Sequence, residues 1–126
     1  MRAIVIDDSK SMRTILTKIL QGVGFLVEEA ASGLEALETI QTEKVDLALV
    51  DWNMPDMDGR EFIRKVRKDK TYKDMRMIMV TTETAITKVE EALEAGADEY
   101  IMKPFTKEII LEKLALLGMD ASNTPK

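Results

Sequence analysis

The sequence predicts an α/β protein, a parallel sheet with helices packed on both of its faces. Two observations carry that prediction. Short apolar runs alternate five times with segments whose apolar residues recur at helical spacing. Two of the runs, AIVI at 3–6 and MIMV at 77–80, are continuous, as in strands buried on both faces. The 126 residues are 45% apolar and 33% charged, the size and balance of one soluble domain with one hydrophobic core. Right-handed crossovers between parallel strands leave few topologies open.

The first strand covers residues 3–6. Met12, Ile15, Leu16, Ile19, Leu20 and Val23 then follow at helical spacing, with Ser9 or Ser11 as cap and Gly22 or Gly24 as stop. Residues 25–30 form a second strand, and Glu28 and Glu29 suit a sheet edge. Ser32 caps a helix whose apolar face holds Leu34, Leu37 and Ile40. The third strand spans 46–50, and Asp58-Gly59 leads into a helix with Phe62, Ile63 and Val66 inward. The fourth strand spans 77–80. Thr84 opens a helix through Val89, Ala92 and Leu93, which Gly96 ends. Glu99–Met102 is a short fifth strand broken by Lys103-Pro104. Thr106 caps a last helix with Ile110, Leu114 and Leu117, and Gly118 closes it. The domain thus covers 1–118, and 119–126 is expected to be a frayed tail. Of the nine methionines, Met77, Met79 and Met102 lie in strands and are expected to fill core.

Composition removes several function classes. The net charge of −5 opposes a nonspecific grip on nucleic acid or anionic membrane. The absence of Cys excludes disulfides and thiolate chemistry, and the absence of His excludes imidazole acid–base catalysis and imidazole metal ligands. The N-terminus has too short an apolar run for a secretory signal or a membrane span, so a cytoplasmic location is expected.

Ligands of such sheets sit beyond the carboxyl ends of the strands, where strand order reverses. There this chain places Asp7-Asp8 after the first strand, Asp51 after the third, Thr81-Thr82 after the fourth and Lys103 after the fifth. Singly, each has a plain explanation: a helix cap, a turn residue, a strand residue, a solvated lysine. Plain explanations do not account for their meeting at one edge. Three carboxylates in one site repel unless compensated. Lys103 offsets one charge and a divalent cation offsets two. All the donors are oxygen, which suits Mg²⁺ held by two carboxylates and the carbonyl of Asn53. A carboxylate beside a metal, with a lysine and a hydroxyl opposite, is an arrangement for phosphoryl transfer. Asp51 would be the nucleophile, Lys103 a stabiliser of the equatorial oxygens and Thr81 a donor to one of them.

Four separated motifs, IVIDDSKSMR, VDWNMPDMDG, MVTTE and GADEYIMKPFT, stand in an order that resembles the receiver domains of bacterial two-component response regulators. The likeness covers nearly the whole chain and is nearest to the single-domain chemotaxis type. It implies a flavodoxin-like, doubly wound (βα)5 fold with strand order 2-1-3-4-5. It implies that Asp51 is the phosphoacceptor, with the acidic pair Asp7 and Asp8 beside it. Asp8 is then the direct Mg²⁺ ligand, Asp7 acts largely through water, and Asn53 lends a backbone carbonyl. Thr81 matches the switch hydroxyl, Lys103 the active-site lysine and Tyr100 the aromatic switch residue. Asn53 and Glu83 occupy positions that tune water attack on the acyl phosphate. The Lys103-Pro104 bond matches a position usually cis.

The resemblance further implies a signalling switch rather than an enzyme with a separate substrate. It catalyses its own phosphorylation from the phosphohistidine of a histidine kinase or histidine phosphotransfer protein, and its own dephosphorylation. The output is a protein-binding face on the fourth helix, fifth strand and fifth helix, for a flagellar switch protein or, in the alternative, a phosphorelay or feedback partner. The protein is expected to be a monomer. Two departures bear on this: Thr82 replaces a small Ala, and Glu83-Thr84-Ala85-Ile86 is less basic than in motor-binding relatives. Two other classes fit less well. Aspartyl-phosphate phosphohydrolases place a second Asp where Asn53 stands, and nucleotide or flavin modules need a Gly-rich phosphate cradle where Asp7-Asp8 stands.

Overall fold

The computed structural model describes residues 1–82 and 86–119. Along the chain run β1 (Arg2–Ile6), α1 (Lys10–Gly22), β2 (Leu26–Ala30), α2 (Gly33–Thr42), β3 (Leu47–Asp51), α3 (Gly59–Arg67), β4 (Arg76–Thr81), α4 (Ile86–Ala95), β5 (Glu99–Met102) and α5 (Lys107–Leu116). A 3-10 turn at Lys70–Tyr72, which the apolar pattern does not announce, precedes β4. The helix start read at Thr84, the Glu83 position and the tail beyond Met119 lie outside the described residues.

All strand pairings are parallel, in the order β2-β1-β3-β4-β5. The chain steps outward from β1 to β2 and then returns across β1 to β3, so strand order reverses between β1 and β3. β2 is an edge strand, as its glutamates suggest. The period of two along each strand divides the interior into two cores, where composition suggested one. Ile4, Ile6, Ala48, Val50, Met77, Met79 and Tyr100 face one side and pack with Ala36, Ile40, Phe62, Ile63, Val66 and Ala92 of α2, α3 and α4. Ala3, Val5, Leu47, Leu49, Ile78, Val80 and Ile101 face the other side, with Leu16, Leu20, Ile110 and Leu114 of α1 and α5. The three central strands, β1, β3 and β4, are therefore buried on both faces, which explains their apolar runs.

Side-chain oxygens of Ser9, Ser32, Asp58 and Thr106 cap α1, α2, α3 and α5, each accepting from the backbone N–H three residues on. Such caps contribute about 1 kcal/mol each. Of the two serines considered for α1, Ser9 is the cap. Of the two glycines considered as its stop, Gly24 takes φ +98° while Gly22 stays helical. The N–H of Gly24 bonds Gln21 and that of Phe25 bonds Leu20, a Schellman turn that draws Phe25 into the helix end and delays β2 to Leu26. α5 ends in the same way. Met119 donates to Leu114 O at 2.8 Å and is buried, although the sequence reading assigns it to the tail.

Three apolar residues expected inward are exposed: Ile15, Leu34 and Leu93. Small residues face the sheet instead, Ala36 in α2 and Ala92 and Ala95 in α4, and let those helices approach closely. Met102 is also exposed, whereas Met77 and Met79 are fully buried.

Candidate functional site

The register assembles the strand tips. Ile6 pairs with Val50, so the next residues, Asp7 and Asp51, are neighbours. Asp51 pairs with Val80, and the following Thr81 pairs with Met102. The N–H of Lys103 bonds Thr81 O at 2.8 Å, fixing the start of the segment after β5. Asp7, Asp51 and Thr81 are buried, and Asp8 is exposed. Carboxylate oxygens of Asp7, Asp8 and Asp51 lie within 4.8 Å of one another. Lys103 Nζ reaches across them, 3.0 Å from Asp7 Oδ2 and 3.4 Å from Asp51 Oδ1. The Lys103-Pro104 bond is cis.

Burial pushes the Asp51 carboxyl above the usual carboxylate range, and the charge of Asp7 adds to this. Lys103 and the backbone N–H of Asn53 pull it back only in part. The site is thus a group of oxygen donors carrying more negative charge than one lysine neutralises. Those donors fit a hard divalent cation, with two or three carboxylates as protein ligands.

The loop after β3 is held against the end of that strand. Gly59 N donates to Trp52 O at 2.8 Å, and Asp58 caps α3. A Cβ on Gly59 would collide with the carbonyl of Asp51, so only glycine allows α3 to start this close. Met57 is buried against Gly33 of α2. Trp52 is buried, with Lys88 Nζ of α4 5.1 Å from its ring centroid, in the range of a cation–π contact. Glu91 of α4 pairs with Lys88 at 3.5 Å and with Arg60 of α3 at 3.1 Å.

Not every predicted residue joins this edge. Asn53 and Thr82 are exposed beside it. Tyr100 lies lower on β5, level with Met79, and is buried in the core shared with α4. Sequence reading missed Arg13, whose Nη1 donates to Asp7 O at 2.7 Å while its Nε pairs with Glu29 at 3.1 Å. An arginine between apolar helix positions carries no signal that distinguishes it from a solvated one. An open cavity of about 430 Å³, lined in part by Lys44, Asp46, Tyr72 and Asp74, lies at the opposite edge of the sheet and contains none of these residues. No helix among the described residues is long and apolar enough to cross a membrane.

Comparison with known proteins gives one consistent picture. The family model described as response regulator receiver domain matches residues 3–115. The chemotaxis protein CheY homolog of Campylobacter jejuni is 46% identical over 116 residues, 90% of this chain and 89% of the relative. Chemotaxis protein CheY1 of Helicobacter pylori is 41% identical over 119 residues, 93% of this chain and 96% of the relative. A high-resolution structure of Vibrio cholerae chemotaxis protein CheY4 superposes with a TM-score of 0.86 at 39% identity, covering 91% of this chain and 96% of that one.

Proposed function

The chain belongs to the response regulator receiver family, and from that premise we propose that it is a phosphorylatable switch with Asp51 as phosphoacceptor. The observation that carries this reading is the meeting of Asp7, Asp8 and Asp51 within 4.8 Å under the ammonium group of Lys103. An oxygen of the Asp51 carboxylate attacks the phosphorus of a phosphohistidine on a histidine kinase or histidine phosphotransfer protein. The P–N bond breaks, the imidazole leaves, and an acyl phosphate forms on Asp51. Asp7, Asp8, Asp51 and the backbone carbonyl of Asn53 would hold Mg²⁺, directly or through water. When bound, the ion supplies positive charge against the phosphoryl oxygens. Lys103 stabilises the same oxygens from the other side, and the Thr81 hydroxyl donates to one of them. Water attack on phosphorus later returns Asp51 to the carboxylate, at a rate tuned by Asn53 and Glu83.

The switch then acts through α4, β5 and α5. Five large exposed apolar residues, Ile86, Leu93, Met102, Ile109 and Leu116, are carried by these three elements, which supports a protein-binding face there. Thr81 and Tyr100 link the acyl phosphate to that face. The names of the relatives support a role in chemotaxis signalling. On this reading the protein acts as a cytoplasmic monomer on a flagellar switch protein. The test is the fluorescence of Trp52, next to Asp51, as Mg²⁺ and then acetyl phosphate are added. The reading predicts a change at each step, with the second absent in Asp51→Asn. A second-step change that persists in Asp51→Asn rules out Asp51 as the acceptor.

A further inference from the structure

We infer that Arg13 is a positioning residue for the cation site, acting through the peptide bond between Asp7 and Asp8. The inference rests on the metal reading of that site proposed above. All four polar groups of Asp7 are engaged: its N–H bonds Ala30 O at 3.1 Å, Oδ1 accepts from Ser9 N at 2.9 Å, Oδ2 accepts from Lys103 at 3.0 Å, and its carbonyl accepts from Arg13 Nη1 at 2.7 Å. The carbonyl is the decisive one. The Asp7–Asp8 peptide is planar, so its oxygen, the nitrogen of Asp8 and the Cα of Asp8 move as one unit. Holding the oxygen fixes where the Asp8 Cα sits, and so the point from which the exposed Asp8 side chain leaves the backbone. Arg13 thereby positions an acid through the backbone.

Glu29 completes the device. Its carboxylate lies 3.1 Å from Arg13 Nε, so the guanidinium is anchored at two points, to the β1–α1 turn and to β2. The pair is close to neutral. A bare guanidinium beside the site would repel a divalent cation, and Glu29 cancels most of that charge. The Arg13 side chain is 16% exposed and that of Glu29 40%, so added salt reaches the pair from the Glu29 side. Groups that orient ligating side chains typically change metal affinity by about 10–100-fold when removed.

The experiment is calorimetric titration of Mg²⁺ into the full chain, alongside thermal unfolding without metal. Arg13→Ala is expected to weaken Mg²⁺ binding by about tenfold or more. At saturating Mg²⁺, phosphorylation by acetyl phosphate recovers towards the wild-type rate, because the loss is in binding the ion. Glu29→Gln keeps the bond to the Asp7 carbonyl but unmasks the charge. Its smaller loss should shrink relative to wild type as salt is added. A purely structural arginine predicts the opposite pattern, a lower melting temperature with unchanged Mg²⁺ affinity, and that result overturns the inference. If Arg13→Ala does not fold, Arg13→Lys decides, since an ammonium group cannot fork to both acceptors; wild-type affinity in that variant also overturns it. A wild-type chain that binds no Mg²⁺ removes the metal reading and this inference together.

Discussion

Lys103 lies closer to Asp7 than to Asp51, with Nζ 3.0 Å from the first carboxylate and 3.4 Å from the second. The lysine is therefore anchored chiefly by Asp7, and the Asp51 oxygen is its looser contact. Both acids are buried, and the lysine bridges them. Lys103→Met leaves two buried like charges without that cation. The metal-free protein should lose about 2–4 kcal/mol, measured by urea unfolding, and Mg²⁺ should restore more stability to the variant than to the wild type. Equal stability of the two metal-free proteins would mean that Lys103 does not compensate the acids.

Asp51 makes stability depend on pH. Its folded carboxyl is raised above the ordinary aspartate value, chiefly by burial and next by Asp7. The folded state therefore holds this proton more tightly than the unfolded chain. The stability it contributes is fully present below the unfolded pKa and is lost as pH rises through the raised folded value. At neutral pH the ionised Asp51 is a net burden on the metal-free fold. Asp51→Asn should raise the melting temperature by a few degrees at pH 7 and by much less near pH 4. A gain that is the same at both pH values would contradict the assigned shift.

Binding of Mg²⁺ to the folded chain alone must stabilise it, by about 2.7 kcal/mol when the free ion is a hundredfold above its dissociation constant. A chelator should reverse the gain. Asp8 is exposed, so Asp8→Asn should leave the metal-free melting temperature nearly unchanged while removing most of the Mg²⁺-dependent shift. A full shift in that variant would take Asp8 out of the ligand set.

Gly59 and Gly22 form a matched pair of tests. A methyl group on Gly59 would meet the Asp51 carbonyl, with the sulfur of Met79 3.0 Å away. Gly59→Ala should cost about 1–3 kcal/mol by overpacking and should weaken Mg²⁺ binding as Asp51 shifts. Nothing lies within 4 Å of a methyl group on Gly22, which is helical. Gly22→Ala should instead gain about 0.4–1 kcal/mol. Denaturant midpoints distinguish the two directly.

The parts of the fold that were legible in the sequence are those with strong local causes. Continuous apolar runs mark strands buried twice, and Ser32, Thr106 and Asp58 announce helix starts through their capping oxygens. The acids and Lys103 were legible as a site because a parallel sheet brings every strand tip to one edge. What escaped was set by packing across elements. Counting large apolar residues placed Leu34 and Leu93 inward, although both are exposed and the core contacts fall to Ala36, which carries no such signal, and to the expected Ala92. The collision that requires Gly59, and the two bonds of Arg13, join residues whose spacing carries no motif.

The most direct test of the account is to locate the phosphoryl group. The chain would be incubated with acetyl phosphate and Mg²⁺, trapped by reduction of the acyl phosphate, and mapped by mass spectrometry of its peptides. The account predicts a single modified residue, Asp51, that requires Mg²⁺ and is lost in Asp51→Asn. Modification at another residue, or at Asp51 without the ion, would contradict the claim that this edge of the sheet is a metal-dependent phosphoacceptor site.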